Sequence, residues 1–198
     1  VLEQLGRTSA EGLAPGAAFE VCLSVVAENR QLLETQEGRR TVLVSLIKDA
    51  VQHNLRASIA SAGWKQYVAL SMSVTDDIPQ GTRERLCATL DAGSRQMTLH
   101  MATFHRAFTE LLGYRMKPSY KESWELYALL CSSSIDGLGL RALATSDSLQ
   151  DAHTWPESHG KGGTAAAVAQ LALFDAFMEP NPGYRATAAL EAIRVPEH

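Results

Sequence analysis

The sequence has little that would mark an enzyme, a metal protein or a membrane protein. Its three cysteines, Cys22, Cys87 and Cys131, are odd in number and widely spaced, with no CxxC pair. That pattern excludes a disulfide framework or a cysteine zinc site and fits a reducing, cytoplasmic setting. No secretory leader is visible. The longest strongly apolar stretch, 164–178, falls short of the ~20 residues that a membrane span needs. Alternating strands joined by hairpin turns are nearly absent. Basic charge is in deficit: 18 Lys and Arg against 22 Asp and Glu leave a net charge of -4. A self-sufficient DNA binder usually carries a basic surface, so any nucleic-acid contact is expected to be local or to lie outside these residues. The opening at Val1, without an initiator Met, raises the expectation of residues before it.

Catalytic motifs are missing as well. Ser132, Ser133 and Ser134 have no G-x-S-x-G setting, and the GKGG at 160–163 lacks the spacing of a phosphate loop. His100 and His105 stand five apart, not the three or four that puts two ligands on one helix face. Asp76 and Asp77 read as a loop with a capping role. The expectation is a protein that is not an enzyme and needs neither cofactor nor metal.

What is present is helical periodicity, in a chain that is 45% hydrophobic and able to bury a sizeable core. Between Thr41 and Ala62, Leu43, Ile47, Ala50, Asn54 and Ser58 trace one face. Trp64 to Val74 follows at helical spacing and stops in the loop containing Pro79 and Gly81. From Thr82 to Leu112 one long stripe runs through Leu86, Leu90, Met97, Met101, Phe104, Phe108 and Leu111. Gly113 suits a C-cap, and Ser119 with Glu122 reads as a capping box for a helix reaching Ala144. That helix has two apolar faces. After a polar, glycine-rich loop at 146–163, Thr164 to Met178 is apolar nearly all round and must be buried all round. A short helix is expected around Ala186 to Ile193. Helix after helix with short loops predicts an all-α bundle.

Two candidate sites follow. Methionines and aromatics are adaptable linings for apolar ligands, and pockets form between the helices of bundles. Met97, Met101, Phe104, Phe108 and Tyr127 are the leading lining residues, joined by Trp64, Tyr67, Met72 and Trp124. One of His100 and His105 is a candidate hydrogen-bonding contact, and His100 is counted with the lining residues. The second site is a surface for another copy of the chain. Leu126, Leu129, Leu130, Ser133 and Gly137 form the outer face of one helix, and Val168, Leu171 and Phe174 that of the last helix. Self-pairing would bury both faces in a two-fold interface.

Two stretches resemble a known family. GYRMKP at 113–118 and IDGLGLRALATSD at 135–147 look like the late part of TetR-type transcriptional regulators. GLAPGAAFEVCLSVVAENRQLL at 12–33 looks like the end of that family's helix-turn-helix. The resemblance implies a helix-turn-helix remnant at 1–27 and a ligand-binding and dimerisation domain at 28–198. It implies that the last two long helices form a four-helix bundle with those of a partner protomer. By the same resemblance Arg7, Ala14, Pro15, Ala17, Phe19 and Ser24 fall at DNA-contacting or helix-turn-helix positions. The implied function is a ligand-responsive homodimer, a repressor by family habit, that holds operator DNA until a small apolar effector binds. The alternative is a ligand-binding and oligomerisation module without a DNA reader, which the acidic balance favours.

Overall fold

A computed structural model describes residue 22 and residues 24–75, 77–145 and 163–186. Among the described residues, five helices of eleven residues or more are α1 (Gln36–Ala60), α2 (Ala62–Met72), α3 (Gln80–Leu111), α4 (Trp124–Ala144) and α5 (Ala165–Phe177). The chain is mostly helical, as its periodicity predicts.

Helix starts follow local chemistry. Thr35 caps α1, its side chain accepting from the Gly38 amide, and Ser61 does the same for α2 from the Trp64 amide. Thr164 caps α5 by accepting from the Ala167 amide at 3.3 Å. Each satisfies an amide that the first turn leaves without a helical partner. Ser61 also separates α1 from α2, in a segment whose apolar spacing is helical on both sides.

The capping box expected at Ser119 does not form. Residues Pro118–Tyr120 make a 3-10 turn, and Lys121 and Glu122 take positive φ of 49° and 59°. Helix α4 therefore starts at Trp124, and the carboxylate of Glu122 accepts from Trp124 Nε1 at 2.8 Å instead. Proline at the start of the turn sets up a tight local fold that competes with a longer helix.

A second departure is the connection after α3. Tyr114–Met116 is a strand, β1, paired antiparallel with β2 (Met178–Pro180), with Arg115 opposite Glu179 and Met116 opposite Met178. Strands this short carry no readable alternation. Tyr114 and Met116 point into the core while Arg115 bonds Glu179 at 2.7 Å outside. Gly113, at φ 76°, makes the corner, and a Cβ there would sit 2.7 Å from the Tyr184 ring. Lys117 completes the segment by donating through Nζ to the carbonyls of Asp175 and Ala176 at 2.7 and 2.9 Å. These lie in the last turn of α5, where carbonyls lack amide partners and a cation is favoured. The GYRMKP segment thus clamps the end of α5 against the end of α3.

Helix α4 is the centre of the bundle, packed against α1, α3 and α5. Helix α5 runs antiparallel to it: Ala166 clusters with Ile135, and Phe177 stacks near Tyr127 and Tyr120. Gln170 fixes their register, donating to the Cys131 carbonyl at 2.9 Å and to Ser134 Oγ at 2.6 Å. The main core joins Leu43 and Leu46 of α1, Ala102 of α3, Tyr127, Ala128 and Cys131 of α4, and Phe174 and Phe177 of α5. Cys22 and Val26 belong to the same core, so the end of the first expected unit packs on the helices of the second.

Candidate functional site

The first site is the seam between α3 and α4. Phe104 and Phe108, one turn apart, stack with centroids 5.8 Å apart and remain partly exposed. Met101 lies on the same stripe, also partly buried against the core. From α4, Trp124 and Tyr127 meet edge to face at 6.5 Å, and Tyr127 continues to Phe177 at 5.4 Å. The result is a continuous aromatic wall bridging two helices.

His105 is set into this wall. Its ring meets Tyr127 edge-on at 5.1 Å and Phe104 at 5.5 Å. Its Nε2 is buried and has no hydrogen-bond partner among the described residues. Burial pushes the imidazole down to about 4, so at neutral pH it is uncharged, with one nitrogen donating and one accepting. The sequence leaves the hydrogen-bonding role to one of His100 and His105 and carries His100 among the lining residues. His100 is exposed, because five residues along a helix turn the side chain well away from His105. Near the wall, burial raises the Tyr127 hydroxyl well above its usual value, with Cys131 adding to the effect. Burial also lifts the Cys131 thiol to about 12, which leaves it protonated and unreactive.

The other expected lining residues are dispersed. Trp64 is buried, but on the far part of α4: its Nε1 donates to Asp136 at 2.8 Å, and its ring lies over Gly139, where a Cβ would come within 3.0 Å. Burial raises the Asp136 carboxyl, and the Trp64 bond opposes that rise. Tyr67 and Met97 are half-buried. Met72, at the end of α2, is 71% exposed and stands apart from any core.

A groove of about 910 Å³ that the sequence did not suggest runs between α1, α5 and the ribbon. It is lined by Gln36, Arg40, Lys48, Tyr114, Asp175 and Met178 among others. The Arg40 guanidinium holds Asp175 across it through two hydrogen bonds of 2.6 and 2.7 Å. Two residues from elements 135 apart in sequence make this pair, and no local pattern signals it.

The second site is the outer face of α4. Leu126, Leu129, Leu130 and Leu140 are 46%, 47%, 37% and 39% exposed, and Ser133 and Gly137 between them are exposed as well. Val168 on α5 is exposed too. Leu171 and Phe174, expected with it, face inward: Leu171 packs with Val44, and Phe174 meets Tyr114 edge-on at 5.1 Å. Helix α5 buries one side against α1 and α4 of its own chain, which removes these two residues from any outer surface.

The residues expected to touch DNA, Arg7, Ala14, Pro15, Ala17 and Phe19, lie outside the described residues, as do Asp76, most of the 146–163 loop and nearly all of the short helix expected near 186–193. Ser24 is described and is an exposed helical residue. Among the described residues no cluster of His, Cys, Asp and Glu could hold a metal, and no helix is long and apolar enough to cross a membrane.

No family model, curated protein or solved structure matches the chain. What fold and site define is a class: a mostly helical bundle with an aromatic seam around one neutral histidine and a bare apolar face on its central helix.

Proposed function

We propose that this chain is the sensing and dimerising part of a ligand-responsive transcriptional regulator of the TetR type, acting as a homodimer. The observation that carries the reading is the leucine face of α4, opposite the side that α4 buries in its own bundle. Monomers rarely expose a contiguous apolar patch of this kind without a use for it. The effector is small and mainly apolar, received by Met101, Phe104, Phe108, Trp124 and Tyr127. Binding acts through different affinities for two arrangements of the dimer, which set the spacing of two DNA-reading units about one helical turn, ~34–36 Å, apart.

A second reading is a ligand-binding and oligomerisation module without a DNA reader. It is favoured by the net charge of -4 and by the absence of Lys or Arg between Thr8 and Asn29. An electrophoretic shift with the DNA flanking the gene, at low salt, separates the two, using the chain as its gene encodes it. A shift relieved by apolar ligands supports the regulator; no shift at low salt leaves the module. Sedimentation at micromolar concentration tests what both share, and a monomer there overturns both.

A further inference from the structure

The stretch of chain ahead of α1 is held to the bundle by few contacts. Residues 24–28 are helical, Asn29 turns the chain, and Arg30–Glu34 form a 3-10 helix. The stretch keeps its own shape. The Asn29 side chain donates to the Val25 carbonyl at 2.8 Å, and the Leu32 amide donates to the Asn29 carbonyl at 2.9 Å. Of residues 24–34 only Val26 and Leu33 are buried, and Cys22 adds a third side chain to the main core. A 3-10 helix bonds with poorer geometry than an α-helix, and all of this one but Leu33 is exposed.

Two residues in the first turn of α1 hold the stretch down. Gly38 lets the Leu32 backbone lie directly on α1, since a Cβ there would collide with the Leu32 carbonyl. Arg39, itself buried, donates through Nη1 to the Leu33 carbonyl at 3.1 Å. Its Nε is buried without a partner among the described residues. The guanidinium also lies over the Tyr184 ring, its Cζ 4.8 Å from the centroid, which is a cation–π contact. Tyr184 in turn donates through its hydroxyl to the Leu111 carbonyl at 2.7 Å. A chain of contacts thus runs from the last residue of α3 through Tyr184 and Arg39 to Leu33.

We propose that Cys22 and residues 24–34 are a strap that opens from the bundle as one unit while α1, α3, α4 and α5 stay folded, with Arg39 as its latch. Opening exposes Cys22, Val26 and Leu33, whereas unfolding the bundle exposes the whole core. The strap therefore sits at the low end of the range of local stabilities. It is also the covalent link between residues 1–21 and α1. Its release lengthens the tether between them, whether or not the chain reads DNA. The contact through Tyr184 makes that release responsive to the end of α3, the helix that carries Phe104, His105 and Phe108.

The three thiols test this, because Cys87 is exposed while Cys22 is buried under the strap and Cys131 within α4. The full chain is treated with excess aromatic disulfide reagent under native conditions, and each thiol is followed by peptide mass. Cys87 is expected to react at once, and Cys22 about tenfold or more faster than Cys131, which reacts only as the bundle unfolds. Gly38→Ala, Arg39→Met and Tyr184→Leu are each expected to raise the ratio of Cys22 to Cys131 rates by about fivefold or more. Far-ultraviolet circular dichroism checks that each variant folds, and the changes at 39 and 184 carry the test if alanine at 38 blocks folding. Equal rates for Cys22 and Cys131 mean one cooperative unit and overturn the strap. A fast Cys22 that no variant alters means fraying of the first helical turn alone, since Gly38 and Arg39 act at the other end of the strap, and overturns it too. A ratio raised by Gly38→Ala but by neither of the others overturns Arg39 as the latch.

Discussion

His105 illustrates how much one side chain's surroundings decide. An imidazole in water titrates near 6.5, but in the α3–α4 seam burial holds it at about 4. The native state resists taking up a proton that the unfolded chain accepts. Between about pH 6.5 and 4 the unfolded state therefore binds more protons, and stability falls as pH falls through that window. The loss amounts to roughly 3 kcal/mol by pH 4. Asp136 works in the opposite sense: its carboxyl is raised, so its protonation at low pH favours the native state. The contribution of His105 is thus read as a difference. Urea unfolding of His105→Phe from pH 7 to 4 is expected to lack most of the acid loss seen in the parent chain; parallel pH curves would sink the assignment. Gly139 and Gly137 offer a second residue-scale contrast on one helix. Alanine at 139 would press on a Trp64 ring that is buried and tied to Asp136. Overpacking costs ~1–3 kcal/mol against a helix-propensity gain of ~1, so Gly139→Ala is expected to lower stability by about 1 kcal/mol. Gly137 has nothing within 4 Å of an added Cβ. Gly137→Ala is expected to raise stability by about 0.5–1 kcal/mol in dilute solution. Melting temperatures that move in the same direction would contradict this contrast.

At the scale of elements, the GYRMKP segment shows how a connection can do structural work. Gly113 turns the chain, β1 pairs with β2, and Lys117 caps the far end of α5. Replacing Lys117 with Met keeps the stem and removes the two bonds to carbonyls. A loss of about 1 kcal/mol in chemical denaturation is expected, with faster amide exchange in the last turn of α5. Unchanged exchange there would mean that the ribbon alone holds that end. The helices themselves were legible, because the long stripe through Leu86, Met101 and Phe108 repeats at helical spacing. The ribbon was not, since three residues are too few for alternation to register. Nor was the start of α4, where a proline turn outcompeted a plausible capping box.

At the scale of the whole molecule the decisive surface is the face of α4. Leu140→Glu places a charge on the exposed leucine face of α4, where burying it unpaired against a second copy costs several kcal/mol. The variant is expected to sediment as a monomer at micromolar concentration with an unchanged far-ultraviolet circular dichroism spectrum, because residue 140 faces away from the bundle of its own chain. A dimer of unaltered affinity would place the interface elsewhere. The outer face was half legible: Leu126, Leu129, Leu130, Ser133, Gly137 and Val168 are exposed as the two-faced pattern implied. Leu171 and Phe174 are not, because a helix apolar on every side does not announce which side meets its own chain. The same ambiguity scattered the lining residues, sending Trp64 to Asp136 and leaving Met72 bare.

Sequence alone determined the helical class and the approximate helices, because their periodicity is local and reads within a few turns. It also marked α3 and α4 as the elements carrying the aromatic and two-faced residues. Only the tertiary structure decided which histidine turns a ring nitrogen into the seam, that Arg40 reaches Asp175, and which apolar faces α1, α3 and α5 consume. Those outcomes depend on how helices far apart in the chain rotate against one another, and a few tens of degrees of rotation exchange a core residue for a surface one.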